Sequence, residues 1–138
     1  QLGTAPTGNG RRQSSRRKAY SRMTNTFFER GTDKLEDMIA SIQHGYMLFE
    51  TDNGMEDPKN WAIQCVAQYG IEIVDGKLTD NYVSPVVMSG YVPDLLKSIS
   101  MISDDFEISG SGFCGKGYKE WVRVSDGGPA LKVRVKLG

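Results

Sequence analysis

The feature that most constrains the fold is a run of alternating side chains that ends in a two-residue turn signal. Large or apolar residues recur at every second position of this run, at Trp61, Ile63, Cys65, Ala67 and Tyr69. Such an alternation predicts a β-strand with one apolar face. Ile71–Val74 continues into Asp75-Gly76, a dipeptide that favours a tight β-hairpin, and Lys77 begins the returning strand. We therefore expect an antiparallel sheet, with Cys65 in a structural position on its apolar face.

Two segments have the period of amphipathic helices. In the first, Thr32–Gly45, the apolar stripe consists of Leu35, Met38, Ile39 and Ile42. Thr32 or Asp33 can cap its start, and His44 is expected at its end. The second begins near Pro93, and its stripe consists of Leu95, Leu96, Ile99 and Ile102. Together with the sheet, these segments predict an α+β domain, a mainly antiparallel sheet with two amphipathic helices.

Further strands are predicted around these elements. Tyr46–Glu50 is expected to be a short strand, followed by a polar loop over Thr51–Asn60. Asn81–Met88 is expected to be another strand. Trp121–Val124 and Leu131–Leu137 flank an Asp-Gly-Gly-Pro turn signal, and we expect them to form a closing antiparallel pair.

A glycine-rich stretch, Ser109–Gly117, carries one thiol and one ammonium group. Four of its nine residues are glycine, which predicts a loop that bends sharply or lets the main chain approach a ligand. Cys114 is a candidate soft metal ligand or nucleophile, and Lys116 places a cation two residues away. The alternative is a tight turn whose cysteine is a small, inert apolar residue. The residues alone leave both possibilities open.

The charge distribution divides the chain at residue 22. Residues 1–22 contain six basic residues and no acid, whereas the remainder holds eleven basic and seventeen acidic residues. We therefore expect a basic Gly/Ser/Arg-rich arm over residues 1–22 and an α+β domain over residues 23–138. Such an arm can contact nucleic acid or a protein partner, or it can dock on its own acidic body.

Length and composition exclude several classes of protein. With 138 residues, 38% of them hydrophobic and 25% charged, the chain has the size and composition of one globular domain. No apolar run is long enough to span a bilayer and no signal-peptide pattern is present, so no membrane partner is expected. Two cysteines without a disulfide framework favour a cytoplasmic location. Because the first residue is Gln1 rather than Met, we expect a fragment or a processed product.

Common catalytic and nucleotide-binding motifs do not occur in the sequence. There is no G-x-x-x-x-G-K-[ST] phosphate loop and no G-x-G-x-x-G at the start of a helix. No H-E-x-x-H is present, and one histidine, His44, cannot supply a metal site that needs two imidazoles. The adjacent acids Asp104 and Asp105 are expected in a loop at a helix end rather than in a catalytic pair.

Several motifs occur together in a particular order. They are Gly8–Arg12, R-M-T-N-T at residues 22–26, the helix that ends at Gly45, Ile73–Lys77, and C-G-K at residues 114–116. In this order they resemble the C-terminal part of the TldD/PmbA proteins, over most of the chain. The C-G-K form is more similar to the TldD branch than to the partner branch that lacks the metal.

This resemblance implies a zinc-dependent peptidase that cleaves unstructured peptides, including precursors of peptide antibiotics. Some members of the family were first described as modulators of DNA gyrase. In the metal-binding branch, an upstream H-E-x-x-x-H supplies two zinc-binding histidines and a glutamate that activates water, and the cysteine of C-G-K is the third protein ligand. That cysteine corresponds to Cys114. No H-E-x-x-x-H occurs in these 138 residues, so we expect no catalytic residue within this chain. We expect the chain alone to be inactive, because the missing N-terminal portion would have to complete the zinc site.

The resemblance also implies partners and a substrate path. Members of the family work as homodimers or as paired heterodimers, so such a partner is expected. Arg22, Asn25 and Lys116 are candidates to line the peptide path, Arg22 through charge-assisted hydrogen bonds and Lys116 by stabilising the thiolate or a developing oxyanion. Asn25 is equally compatible with a turn, and Arg22 with a surface ion pair. A peptide can also bind such a cleft by adding a strand to a sheet edge.

A second hypothesis belongs to a different class of protein. The chain can be a non-catalytic binding or regulatory module, similar to a gyrase modulator, whose basic arm contacts nucleic acid or a protein. Under the peptidase hypothesis, nucleic acid is not an expected partner. Loss of salt-dependent DNA binding on removal of residues 1–18 would favour the binding module, and zinc-dependent peptide cleavage would favour the peptidase.

Overall fold

The computed structural model describes Gly3, Ala5 and residues 7–115 and 120–138, with the main chain alone at residues 52 and 53. In chain order the strands are β1 (Gly10–Arg11), β2 (Tyr20–Ser21), β3 (His44–Asp57), β4 (Ala62–Val74), β5 (Lys77–Val83), β6 (Val86–Tyr91), β7 (Met101–Ile102), β8 (Glu107–Gly115), β9 (Trp121–Gly128), β10 (Leu131–Lys132) and β11 (Lys136–Leu137). The helices are α1 (Leu35–Ala40) and α2 (Val92–Ser98). Within these described ranges, no helix reaches the length and hydropathy that crossing a bilayer requires.

The chain folds into two compact units. The hairpin unit comprises Gln1–Glu29 and Phe106–Pro129, and the sheet unit comprises Arg30–Asp105 and Ala130–Gly138. All of the strands pair antiparallel, and both helices belong to the sheet unit. The predicted α+β class with a mainly antiparallel sheet is therefore confirmed.

The sheet unit is built around β4. This strand pairs with β3 along its length, and it also pairs with β6 in its first half and with β5 in its second half. β11 then pairs with β6. On the predicted apolar face of β4, Ala67 and Ile73 are each only 1% exposed. The alternation from Ile63 onward thus identified the central strand and its core face, whereas Trp61, predicted on the same face, precedes β4 and is 58% exposed.

The Asp75-Gly76 turn is confirmed, and it lies against the end of α1. Both residues have positive φ angles, 48° at Asp75 and 75° at Gly76, as the favoured two-residue hairpin turn requires. The amide of Asp75 donates a 2.8 Å hydrogen bond to the carbonyl oxygen of Gln43, and the amide of Gly76 donates one of 2.8 Å to Ile42. A Cβ atom at Gly76 would lie 2.6 Å from the carbonyl oxygen of Ala40, so a side chain has no room there.

The first helix is shorter than predicted, and two of its expected terminal residues have other roles. α1 ends at Ala40 rather than near Gly45, because the main chain from His44 onward is hydrogen-bonded to β4 as a strand. Asp33 does not cap the helix, since its Oδ2 accepts a 2.8 Å hydrogen bond from the amide of Ile102. Pairing with distant strands therefore overrides the local helix signals at both ends.

The second helix and the strand before it also differ from the prediction. α2 has Pro93 in its first turn, as predicted, but Ile99 already has an extended conformation. Ile102, the last member of the predicted apolar stripe, lies in β7 and pairs with Leu131 of β10. The strand predicted over Asn81–Met88 is divided at Pro85 into β5 and β6.

The predicted polar loop over Thr51–Asn60 is wrong for most of its length. β3 continues to Asp57, which is paired with Ala62. The one irregularity of the described ladder is a shift in register between Thr51 and Asn53. The ladder is made by main-chain hydrogen bonds, which polar side chains do not interrupt. The connection between β3 and β4 is therefore confined to residues 58–61.

The hairpin unit contains the largest departures from the predicted elements. The glycine-rich stretch is strand β8 as far as Gly115, and it pairs with β9 with a register shift between Ser109 and Gly112. β9 runs through the predicted turn to Gly128, where Gly127 has φ 144° and a Cβ would lie 2.2 Å from the carbonyl oxygen of Glu107. The predicted closing pair is also wrong, since β9 pairs with β8, whereas β10 and β11 pair with β7 and β6.

Candidate functional site

Cys114 lies near the end of β8, on the more buried face of the hairpin. It is directly opposite Val122 in the ladder, and Gly112 is opposite Val124. Both valines are 5% exposed, whereas Phe113 on the other face is 49% exposed. Residues directly opposite one another share a face of the sheet. The thiol therefore projects from the same face as the two buried valines.

The Cys114 side chain is itself partly exposed and weakly held. Its Sγ lies 3.8 Å from the carbonyl oxygen of the next residue, Gly115, which is a long contact for a weak S–H donor. No stronger polar contact of this sulfur occurs among the described residues. A free, partly exposed thiol of this kind is chemically suited to act as a soft metal ligand.

Arg22 is the buried cation beside this strand. It is 5% exposed and follows β2 directly. Its Nη2 donates hydrogen bonds to the carbonyl oxygen of Cys114 and, at 2.8 Å, to the carbonyl oxygen of Glu120. Its own amide donates a 2.9 Å hydrogen bond to the carbonyl oxygen of Asn9. Arg22 therefore connects β8 to the residue that precedes β9 and is fixed to the N-terminal segment.

Three buried polar atoms at this point have no hydrogen-bond partner in the described part of the chain. They are Nε and Nη1 of Arg22 and Oε2 of Glu120. Glu120 is 7% exposed, so water does not readily reach its carboxylate. Buried polar atoms are nearly always paired in native proteins, because an unpaired one costs about 1–3 kcal/mol. These atoms are therefore the least satisfied polar groups at this point of the hairpin unit.

The R-M-T-N-T motif lies along β9. Asn25 is exposed, and its Oδ1 accepts a 2.9 Å hydrogen bond from the amide of Ser125. Arg11 reinforces the same contact region by donating from Nη1 to the carbonyl oxygen of Met23 at 2.9 Å and from Nη2 to that of Arg123 at 2.6 Å. The structure therefore brings Arg22, Asn25 and Cys114 together in one unit. Lys116, the remaining predicted site residue, lies outside the described residues.

The other candidate ligand residues belong to the sheet unit. His44 Nε2 lies 3.0 Å from Oε1 of Glu72. Burial raises the pKa of the Cys65 thiol, and the nearby Glu56 carboxylate raises it further. In the described ranges, no three His, Cys, Asp or Glu side chains converge to hold a metal ion. The described residues therefore do not by themselves form a metal site, and Cys114 is a single candidate ligand within the hairpin unit.

Sequence reasoning missed one residue of this site, Glu120, and one residue that supports the same unit elsewhere, Arg11. Glu120 stands between Lys119 and Trp121 and has the pattern of a solvated turn, so no sequence signal indicated its burial. Arg11 belongs to the basic arm, where it was one of several like charges. The sequence signal for Arg11 is its place in the Gly8–Arg12 motif, which precedes R-M-T-N-T.

Comparisons with known proteins agree with this arrangement of motifs. Residues 1–136 match the family model described as the PmbA/TldA metallopeptidase C-terminal domain. The chain is 37% identical over 138 residues to a protein of Saccharolobus solfataricus named zinc metalloprotease TldD homolog, covering 99% of this chain. It is 33% identical over 133 residues to the metalloprotease TldD homolog of Haemophilus influenzae, covering 96% of this chain.

A solved structure has the same fold. The crystal structure of TldE from Thermococcus kodakarensis superimposes with a TM-score of 0.69 at 23% identity, over 98% of this chain and 28% of that one. The chain spans 30% of the length of the Saccharolobus relative and 27% of the Haemophilus relative. On the match to the family model and these sequence identities, the chain belongs to the family of PmbA/TldA metallopeptidase C-terminal domains.

Proposed function

We propose that the protein is a TldD-type zinc-dependent peptidase acting on unstructured peptides, in which this domain supplies Cys114 as one zinc ligand. The observation that carries the proposal is a free, partly exposed thiol near the end of β8, on a residue whose main chain is hydrogen-bonded to Arg22 of the R-M-T-N-T motif. The name of the Saccharolobus relative, a zinc metalloprotease, supports the choice of metal. The remaining ligands and the catalytic glutamate would come from an H-E-x-x-x-H outside this chain.

The chemistry that zinc supplies when bound is activation of water and polarisation of a peptide carbonyl. The residues of this chain would bind the metal ion and orient the peptide substrate. Cys114 offers the thiolate, while Arg22, Asn25 and Lys116 are proposed to line the path of the peptide. The exposure of Asn25 supports this role, because its side-chain amide group can donate a hydrogen bond to a peptide carbonyl oxygen. An unstructured peptide exposes such carbonyl groups along its whole length.

The proposed protein works with a family partner in the cytoplasm. The partner would be a related subunit, in a homodimer or a heterodimer, as the family resemblance implies. Both cysteines of the chain are free thiols, which is the usual state in a reducing compartment. Maturation of peptide precursors is the process that such an activity would serve.

The alternative, a gyrase-modulator-like module whose arm contacts nucleic acid, has less support. Two of the six basic residues of the arm, Arg11 and Arg22, donate hydrogen bonds to backbone carbonyl oxygens within the hairpin unit. Because these two guanidinium groups already bind main-chain groups of the same unit, four basic residues of the arm remain for phosphate contacts. Salt-dependent DNA binding that disappears on deletion of residues 1–18 would favour this alternative over the peptidase.

The test of the proposal is peptide cleavage by the longest native polypeptide that contains residues 1–138. An unstructured peptide is incubated with the zinc-loaded protein, with Cys114→Ser and with Cys65→Ser as the matched control. Removing a hydrogen-bond partner of a metal ligand typically lowers activity by about 10- to 100-fold. We expect Cys114→Ser, which removes the ligand itself, to lower activity by more than this. Cys65→Ser should retain activity. Undiminished cleavage by Cys114→Ser would refute the assignment of Cys114.

A further inference from the structure

One guanidinium nitrogen of Arg22 contacts two main-chain groups near the end of the β8–β9 ladder. Nη2 of Arg22 donates to the carbonyl oxygen of Cys114 on one side and to that of Glu120 on the other. The ladder of the hairpin ends at the Gly115–Trp121 pair, one residue after Cys114 and one residue from Glu120. Cys114 is thus in the next-to-last pair of the ladder, and Arg22 adds a side-chain hydrogen bond to its main chain close to the end of strand pairing.

The thiol has little else to orient it. Its own contact, 3.8 Å to the carbonyl oxygen of Gly115, is too long and too weak to fix a side chain. The main chain must therefore set the direction of the Cα–Cβ bond, and the carbonyl bound by Arg22 defines the peptide plane that follows Cys114. Because Arg22 is 5% exposed, water does not compete for these charge-assisted hydrogen bonds.

We propose that Arg22 is a positioning residue for the Cys114 thiol, holding the backbone from which this ligand projects. The inference rests on the proposed function, since it concerns the ligand role of Cys114. It uses Nη2 alone, since Nε and Nη1 have no hydrogen-bond partner among the described residues. A functional site requires its supporting residues to hold the ligand atoms within a fraction of an ångström, and Arg22 supplies that support at Cys114.

The experiment measures metal binding rather than activity. The longest native polypeptide containing residues 1–138 is stripped of metal and titrated with Co²⁺, following the near-ultraviolet thiolate-to-cobalt charge-transfer band. The variants are Arg22→Ala, Arg22→Lys and Cys114→Ser. Arg11→Ala is the matched control, because Arg11 also donates to two backbone carbonyl oxygens of the hairpin unit without touching Cys114.

A positioning role predicts that Arg22→Ala lowers Co²⁺ affinity by about 10- to 100-fold, with a shifted or weakened charge-transfer band. Arg22→Lys should be intermediate, since its single nitrogen keeps the charge but not the planar geometry. Added guanidinium ion should partly restore the band in Arg22→Ala, whereas Arg11→Ala should bind Co²⁺ like the unchanged protein. If Arg22→Ala does not fold, Arg22→Lys and Arg11→Ala still provide the comparison.

Three outcomes would overturn the inference. An unchanged band and affinity in both Arg22 variants would show that the contact does not position the thiol. Equal losses in the Arg22 and Arg11 variants would show only a general effect on the hairpin unit. A full charge-transfer band in Cys114→Ser would show that Cys114 is not a ligand, and the proposed function would then fail as well. That result differs from one in which only the Arg22 variants contradict the inference.

Discussion

Arg22 and Glu120 are 98 positions apart in the sequence, and Nη2 of Arg22 donates a 2.8 Å hydrogen bond to the carbonyl oxygen of Glu120. Both side chains are buried, and each retains polar atoms without a partner among the described residues. The same nitrogen also donates a hydrogen bond to the carbonyl oxygen of Cys114, so it joins the R-M-T-N-T motif near the start of the chain to the first residue of C-G-K near its end. Two motifs that are distant in sequence are thus parts of one compact unit.

Asn25→Ala should destabilise the hairpin unit. The substitution removes the acceptor of the 2.9 Å hydrogen bond from the Ser125 amide, and it should cost about 0.5–1.5 kcal/mol in free energy of unfolding. Chemical denaturation measures this cost, and amide hydrogen exchange at Ser125 locates it. Asn25→Asp, which keeps an acceptor oxygen, is the control and should protect the Ser125 amide. Equal exchange rates in both variants would contradict the structural role.

Gly76→Ala should destabilise the sheet unit, whereas Gly90→Ala should not. Gly76 has φ 75°, and a Cβ there would approach the carbonyl oxygen of Ala40 to 2.6 Å, so a loss of about 1–3 kcal/mol is expected. A Cβ at Gly90 would meet nothing within 4 Å. Thermal or urea unfolding of the two variants tests the difference. An equal effect at both positions would count against the tight turn.

Stability should fall in acid partly through Glu72. Its pKa is lowered, first by the hydrogen bond from Asn81 Nδ2 at 2.7 Å and then by that from His44. A lowered pKa contributes stability that is present above the ordinary carboxyl pKa and is lost as the pH falls through the folded-state value. Asn81→Ala should reduce this contribution, so the urea midpoint should depend less on pH in that range. An unchanged pH dependence would contradict the prediction.

Cys65 should react slowly with alkylating agents in the folded protein. Burial, with the Glu56 carboxylate as a smaller cause, raises the pKa of its thiol and so reduces the thiolate fraction that reacts. In a Cys114→Ser background, iodoacetamide at mildly alkaline pH should modify Cys65 several-fold more slowly in native buffer than in urea. Mass spectrometry follows the reaction. Equal rates in the two conditions would show that burial does not protect this thiol.

The sequence predicts well those elements in which local and long-range preferences agree. At Asp75-Gly76 the turn residues, the flanking alternation and the packing against α1 all favour one hairpin, and the structure contains it. The core face of β4 is equally clear, because Ala67 and Ile73 follow the alternation. The family resemblance likewise rested on short motifs with little ambiguity, and the family is confirmed over residues 1–136.

Prediction failed where pairing with a distant strand decides the conformation. The polar residues of β3 up to Asp57 carry no strand pattern, but β4 provides hydrogen-bond partners for their main chain. The glycines of β8 suggested a loop, whereas they let the strand lie close to β9, as at Gly112, where a Cβ would meet Oδ1 of Asp126 at 2.3 Å. The burial of Glu120 likewise depends on contacts that local sequence does not encode.

The most direct measurement is the zinc content of the longest native polypeptide that contains residues 1–138, purified without chelators. Elemental mass spectrometry is applied to the unchanged protein, to Cys114→Ser and to Cys65→Ser. Our account predicts about one zinc per chain in the unchanged protein and in Cys65→Ser, and a large loss of zinc in Cys114→Ser. A full complement of zinc in Cys114→Ser would contradict the claim that Cys114 is a ligand.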